Sequence, residues 1–196
     1  MYLIAGLGNP GRKYSGTRHN IGFRVIKMWS ESLGVTLKSR RFRSRNIRTT
    51  IHGKEVILLR PVTFMNRSGD SIKACFDAHQ LETSHMLLIH DDLDLPVGRL
   101  KIVRSGGAGG HKGVASTILK IGSKQIPRLR IGIGRPRWGE SVEDYVLKPF
   151  YRNQEEIITR VTDWAVRACE LFVSEGVVKA MNSINCLYLA DKEVIN

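Results

Sequence analysis

Apolar residues along this chain switch between short continuous runs and helical spacing, and the switches outline its elements. Tyr2–Leu7 is an apolar run that predicts a strand. Ile21, Val25, Met28 or Trp29, and Ser32 or Leu33 recur every three to four positions, so a helix is predicted over Ile21–Leu33, ending at Gly34. Asn46–Ile51 and Glu55–Leu59 flank the short turn His52-Gly53-Lys54 and predict a hairpin. Ser68–His79 reads as a helix with Ile72, Cys75, Phe76 and His79 on one face. Met86–His90 is a continuous apolar run of the kind found in buried strands. Leu100–Val103 and Leu129–Ile133 read similarly, with a helix over Lys112–Ile121 between them. Asn153-Gln154-Glu155-Glu156 resembles a capping box and opens a helix with the apolar face Ile157, Val161, Trp164, Ala168 and Leu171, closed by Gly176.

Strands alternating with helices predict an α/β fold: a three-layer sandwich with a mixed, mostly parallel twisted sheet flanked by helices. The hairpin excludes a wholly parallel sheet. No repeat, low-complexity tract or linker interrupts the pattern, and 196 residues suit a single domain over residues 1–196. No stretch approaches the roughly 18 apolar residues of a membrane span. The start, MYLIAGLG, enters a strand directly and lacks the basic region of a signal peptide, so a cytoplasmic, non-membrane protein is expected. Cys75, Cys169 and Cys186 lie far apart without a CxxC pair and are expected to be buried free thiols.

Charge changes the picture. The net charge is +13, and it is concentrated. From Ser32 to Lys54 there are seven cations and no acid; from Leu95 to Gly139 there are ten and no acid. A merely solvated surface intersperses signs, so these windows point to a polyanion partner, nucleic acid above all.

Candidate chemistry concentrates in LIAGLGNPGRKYSGTRHNIGF, residues 3–23. Gly6-x-Gly8-x-x-Gly11 spells a dinucleotide fingerprint, but that motif needs the glycine turn to run straight into a helix. Here the third glycine is followed by a polar, aperiodic stretch, Pro10 sits inside the motif, and the next helix starts about ten residues late. The glycines read better as a tight turn bringing Asn9 toward His19. The second glycine cluster, Gly106 to Gly113, fails as a Walker loop because His111 precedes Lys112 and no Ser or Thr follows it. It fits a flexible loop that closely approaches a phosphate or backbone. There is no nucleophile elbow, no cysteine set up for activation, and no paired histidines at metal-ligand spacing. Asp91 follows a buried-looking strand, where α/β sheets place functional groups, and could orient a histidine. Asp92 and Asp94 read equally as turn and cap residues before Pro96, or with Asp91 as a hard-cation site. Asn9 and Asn66 offer uncharged donors and acceptors, and each also suits a turn or cap.

Taken together, GLGNPGRKYSGTRHNIGF, RPVTFMNRSG, HDDLDLPVG, GGAGGHKG and RLRIGIGRP resemble the bacterial peptidyl-tRNA hydrolase family. The five strings occur in the family's order, and residues 3–136 are collinear with it. The resemblance implies a monomeric enzyme, without metal or other cofactor, that cleaves the ester joining peptide to tRNA. It implies His19 as the base that activates water and Asp91 as the residue that orients it. Asn9 and Asn66 would hold the peptide and the tRNA 3′ end, Tyr14 and Met65 would line that channel, and His111 would contact the substrate. An activated ester needs only a positioned water, a base and a donor to the developing oxyanion, so a site with neither nucleophile nor metal makes chemical sense.

Two departures from the family pattern stand out. Lys112 occupies a place where many members carry asparagine; it is expected to contact the tRNA 3′ end. Val103 stands where the family often has a cation that clamps the tRNA 5′ phosphate, while the clamp's partner is present as Arg130. On a strand Lys101 shares the face of Val103, so Lys101 with Arg130 is expected to take over the clamp on the acceptor-stem phosphate. The rival readings are an RNA-binding relative without activity and a metal-dependent phosphoesterase built on Asp91, Asp92 and Asp94.

Overall fold

A computed structural model describes residues 1–136 and 139–189. Six strands, β1 (Tyr2–Gly6), β2 (Ser44–Ile51), β3 (Lys54–Pro61), β4 (Met86–Asp92), β5 (Leu100–Val103) and β6 (Arg128–Gly132), form one sheet in the order β2-β3-β1-β4-β6-β5. The inner pairings β3/β1, β1/β4 and β4/β6 are parallel, and the edge pairings β2/β3 and β5/β6 are antiparallel. The mixed, mostly parallel sheet is therefore as expected, and the hairpin supplies one antiparallel edge.

Helices cover both faces and create two apolar layers. On one face, α1 (Ile21–Ser32), α5 (Glu155–Glu175) and α6 (Val177–Ile184) bury Val25, Trp29, Ala165 and Phe172 against Ile4, Leu58, Leu87 and Ile89. On the other, α2 (Ser68–Ala78) and α3 (Lys112–Ile121) bury Ile72, Cys75 and Val114 against Leu3, Ala5, Leu59 and Leu88. Alternate residues of the central strands thus feed both layers, which is why these strands read as continuous apolar runs rather than as alternation. No described helix is long and apolar enough to cross a membrane.

The chain leaves β1 toward β3 and leaves β4 toward β6, so its direction reverses between β1 and β4. A crevice forms at such a reversal beyond the carboxyl ends of the strands. One cation-rich window runs through β2 at one edge of the sheet; the other runs through β5 and β6 at the opposite edge and, between them, through the start of α3, where Lys112 borders the crevice.

Three local expectations need correction. Of the expected α5 face Val161 and Ala168 are buried, but Ile157, Trp164 and Leu171 are only half-buried, and Ile158, Thr162, Ala165, Cys169 and Phe172 complete the buried face. The helix packs against both the sheet and α1, and that pair of surfaces selects a face turned from the one the side chains alone suggest. Its capping contact also begins earlier: the Tyr151 N–H donates to Gln154 Oε1 at 3.2 Å, ahead of a short turn at Arg152–Gln154. Cys75 and Cys169 are buried free thiols, and burial pushes the Cys75 thiol up to about 12, whereas Cys186 is exposed.

Candidate active site

Close packing of glycines builds the crevice floor. A Cβ on Gly6 would lie 2.2 Å from the Gly22 carbonyl oxygen, and one on Gly8 would meet the Phe23 ring at 2.7 Å. Only Gly11 of the three has a positive φ, +106°. The motif is thus less a turn than a contact surface: two of its glycines let the start of α1 press against β1, and the third turns the loop. Leu7 then donates to Ile89 O at 2.9 Å, tying the end of β1 to β4. A short helical turn at Arg18–Asn20 is carried onto the end of β4 by this packing. Arg18 anchors the turn from the other side. It is buried, its guanidinium lies 4.0 Å from the Tyr145 ring centroid, and Nη1 donates to Tyr145 O at 3.1 Å.

His19 and Asp91 meet there. His19 Nδ1 lies 2.9 and 3.0 Å from the two carboxylate oxygens of Asp91. An ionised carboxylate only accepts, so the proton is on Nδ1 and Nε2 keeps its lone pair. Asp91 lies within β4, near its end, rather than after it. The same carboxylate takes a second imidazole: His111 Nε2 lies 3.0 Å from Oδ1. His111 caps α3, its Nδ1 accepting from the N–H groups of Gly113 and Val114 at 3.2 Å each, which places its proton on Nε2. Burial alone would raise Asp91, but the electrostatic pull of the N–H groups that His19 and His111 aim at it, and the hydrogen bonds they donate, hold it well below the usual carboxylate range. His90, stacked edge-on to His111 at 4.8 Å, donates from Nδ1 to Asp91 O at 2.7 Å; burial and then His111 push its pKa down to about 3.

Asn9 is held on three sides. Its N–H donates to Asn20 Oδ1 at 2.8 Å, its carbonyl accepts from Asn20 Nδ2 at 2.9 Å, and its Oδ1 accepts from the Met65 N–H at 2.8 Å. Among the described residues, Nδ2 is the one group of this amide without a protein partner. Asn20 occupies the N-cap position of α1 yet makes no cap hydrogen bond. Its role in clamping Asn9 has no signal in the sequence beyond its being a second amide beside the histidine, because an asparagine before a helix reads as a cap. Met65 is buried, and its Sδ lies 2.5 Å from where a Gly113 Cβ would be, so Gly113 lets the two loops touch.

A cleft of about 630 Å³ opens above these groups. Asn9, Tyr14, His19, Met65, Asn66, Asp91, His111 and Lys112 all line it, so most of the expected residues converge. Asn66 is exposed on the short turn Met65–Arg67. Tyr14 packs edge-on against the exposed Phe64 at 6.4 Å. His111 lines the cleft while bonded to Asp91 and to the start of its own helix. Lys112 reaches across to Glu143 Oε1 at 3.3 Å, on α4 (Val142–Val146). Lys101 and Arg130 are not in the cleft: they are direct cross-strand partners on β5 and β6. Lys101 is exposed between buried Leu100 and Ile102, and Arg130 Nε pairs with Asp92 Oδ2 at 2.5 Å.

Among the described residues, His19, Asp91 and His111 are the one group whose donor atoms, all within 4.8 Å, could hold a metal ion. The proton that α3 imposes on His111 Nε2 means that hydrogen bonds already account for this geometry. A three-aspartate site does not form: Asp92 is taken by Arg130 and Asp94 by Arg135.

A family model described as peptidyl-tRNA hydrolase matches residues 3–193. A peptidyl-tRNA hydrolase of Carboxydothermus hydrogenoformans is 43% identical over 185 residues, covering 94% of this chain and 98% of that one. One of Bacillus subtilis is 40% identical with the same coverage. Among solved structures, the peptidyl-tRNA hydrolase of Acinetobacter baumannii superposes with a TM-score of 0.91 at 37% identity, covering 96% of each chain.

Proposed function

The chain belongs to the peptidyl-tRNA hydrolase family and hydrolyses the ester between peptide and tRNA; on that premise we propose that His19 is the base of this reaction. The observation that carries the proposal is the His19–Asp91 contact at the floor of the cleft. With its proton on Nδ1 and facing Asp91, His19 presents a lone pair at Nε2 to a water in the cleft. As that water attacks the ester carbonyl, Nε2 takes its proton, and Asp91 stabilises the imidazolium that forms. The free Nδ2 of Asn9 supplies a donor to the charge developing on the carbonyl oxygen. The proton then passes to the departing ribose oxygen, leaving free tRNA and peptide acid. Asn66, Tyr14 and Met65 bound the channel for the peptide and the 3′ end, with Lys112 at its rim.

Lys101 and Arg130, side by side on the outer face of the sheet edge, form the clamp for the acceptor-stem phosphate. Phosphate contacts carry no sequence information, which suits a hydrolase acting on many tRNAs. The enzyme works as a monomeric single domain in the cytoplasm, without a metal or other cofactor.

The test is release of the acyl group from N-blocked aminoacyl-tRNA in excess chelator, beside a His19→Ala variant. The expected loss in the variant is about two to four orders of magnitude, the scale of acid–base catalysis. Full activity of His19→Ala would overturn the mechanism. Loss of wild-type activity in chelator would move the reading to the metal-dependent rival.

A further inference from the structure

A second cavity, of about 620 Å³, borders the first: Asn9 is the one residue that lines both. Its charged lining is all cationic, with Arg12, Arg24, Lys27 and Arg60 and no Asp or Glu. Two of these are already paired at the surface, Arg24 with Glu155 at 3.2 Å and Lys27 with Glu31 at 3.6 Å. Arg12 and Arg60 have no carboxylate within 4.0 Å among the described residues.

Arg60 is the unusual member. Its guanidinium lies over the Phe23 ring at 4.4 Å, and its buried Nε has no hydrogen-bond partner among the described residues. Across the β2/β3 ladder its direct partner is Arg45, a second cation. Like charges directly opposite on one sheet face are destabilising, and a half-buried guanidinium without an anion gives up hydration that nothing replaces. A planar donor fork facing a cavity is a standard receiver of phosphate oxygens, and the volume is in the range of ligand pockets.

We propose that this cavity is an anion site that takes a phosphate group through Arg60 and Arg12. The phosphate comes either from the RNA backbone of the substrate or from a free phosphorylated ligand. An anion there neutralises the Arg45/Arg60 pair. It also sits against the loop that carries Asn9. Only the RNA source rests on the hydrolase reading.

Two measurements on wild type, Arg60→Gln and Arg12→Gln distinguish the sources. Pyrophosphate is titrated by calorimetry, and steady-state hydrolysis is compared between N-blocked aminoacyl-tRNA and the same acyl group on a CCA trinucleotide. Urea unfolding of each variant controls for the fold, and exposed Arg12 serves if Arg60→Gln is too unstable. For an RNA phosphate, KM for full-length tRNA rises about three- to tenfold with kcat unchanged, and the trinucleotide is unaffected. For a free ligand, pyrophosphate binds the wild type and its affinity falls at least tenfold in Arg60→Gln, while the KM ratio of the two substrates stays constant. Pyrophosphate affinity and KM ratio both unchanged in the folded variants would overturn the proposal. A wild type that cleaves neither substrate would sink the hydrolase reading instead, and the titration would still decide this one.

Discussion

The cleft floor and the β5–β6 edge both gather charged side chains, yet they use them under different rules. At the floor, Asp91 is only 4% exposed and its oxygens are met by His19 and His111. Each imidazole is in turn fixed by something rigid: His111 by the start of α3, His19 by a turn wedged between α1 and β4. At the edge, Lys101 projects into solvent and Arg130 pairs with a half-buried Asp92. Interactions at low effective dielectric are strong, directional and nearly blind to salt, while exposed ones are weak and screened. The floor therefore suits chemistry, where one proton must sit on one nitrogen. The edge suits capture of a polyanion, where many small contributions add.

The sharpest way to break this contrast is Asp91→Asn. An amide can donate to His19 Nδ1, which reverses the tautomer and moves the lone pair away from the cleft. The expected result is a fall in kcat of about 10² to 10⁴ in single-turnover hydrolysis, with KM little changed. Near-normal turnover in a folded Asp91→Asn protein would remove the distinction between floor and edge.

Acid titration probes the floor through stability. His90 is held neutral in the fold with its pKa near 3, against 6.5 for an ordinary histidine. Because the folded value is depressed, its contribution is fully present above about pH 6.5 and is lost as pH falls toward 3. Asp91, also depressed, adds its loss only below about pH 4. Urea unfolding across this range should show a decline of a few kcal/mol, and His90→Asn should flatten the part above about pH 4. The same slope in both proteins would mean that His90 is not the group responsible.

Asn20 sharpens the comparison further, since it does not line the cleft but holds Asn9, which does. With Asn20→Ala, Asn9 loses two hydrogen bonds and its position over the cleft. Turnover should drop about ten- to a hundredfold, as expected for misplacement of a reacting group, while the pH profile of kcat keeps its shape because His19 and Asp91 are untouched. A shifted profile would mean that Asn20 tunes His19 instead.

The smallest effect belongs to the edge. Lys101→Ala should raise KM for tRNA bearing a 5′ phosphate about three- to tenfold and lower the slope of log KM against log salt by about one, with kcat unchanged. An unchanged preference for the 5′ phosphate would rule Lys101 out of the clamp.

How much of this was legible beforehand depends on the range of the forces involved. The strands, the hairpin and the helix Lys112–Ile121 follow from local periodicity and turn residues, and they stand where the pattern predicts. His19, Asp91, Asn9 and Asn66 were visible as chemistry-bearing types in matching strings. The orientation of α5 was not, because two packing surfaces compete for it. Nor was the double load on Asp91, because nothing in the spacing of residues 91 and 111 says that a helix start will aim an imidazole back at the strand.

By itself, then, the sequence determined the alternation of strands and helices, the cationic excess, and the family through its ordered motifs, all of which depend on neighbours along the chain. Tertiary structure decided the rest. It reversed the chain direction between β1 and β4, brought residues 9, 19, 91 and 111 to one crevice, and sent the strands of the two cationic windows to opposite edges of the sheet. It also turned Gly6 and Gly8 from a nucleotide fingerprint into the contact that seats α1. These outcomes turn on which surfaces can approach without a Cβ between them and on which proton a buried carboxylate can accept. Both are settled only when distant segments pack.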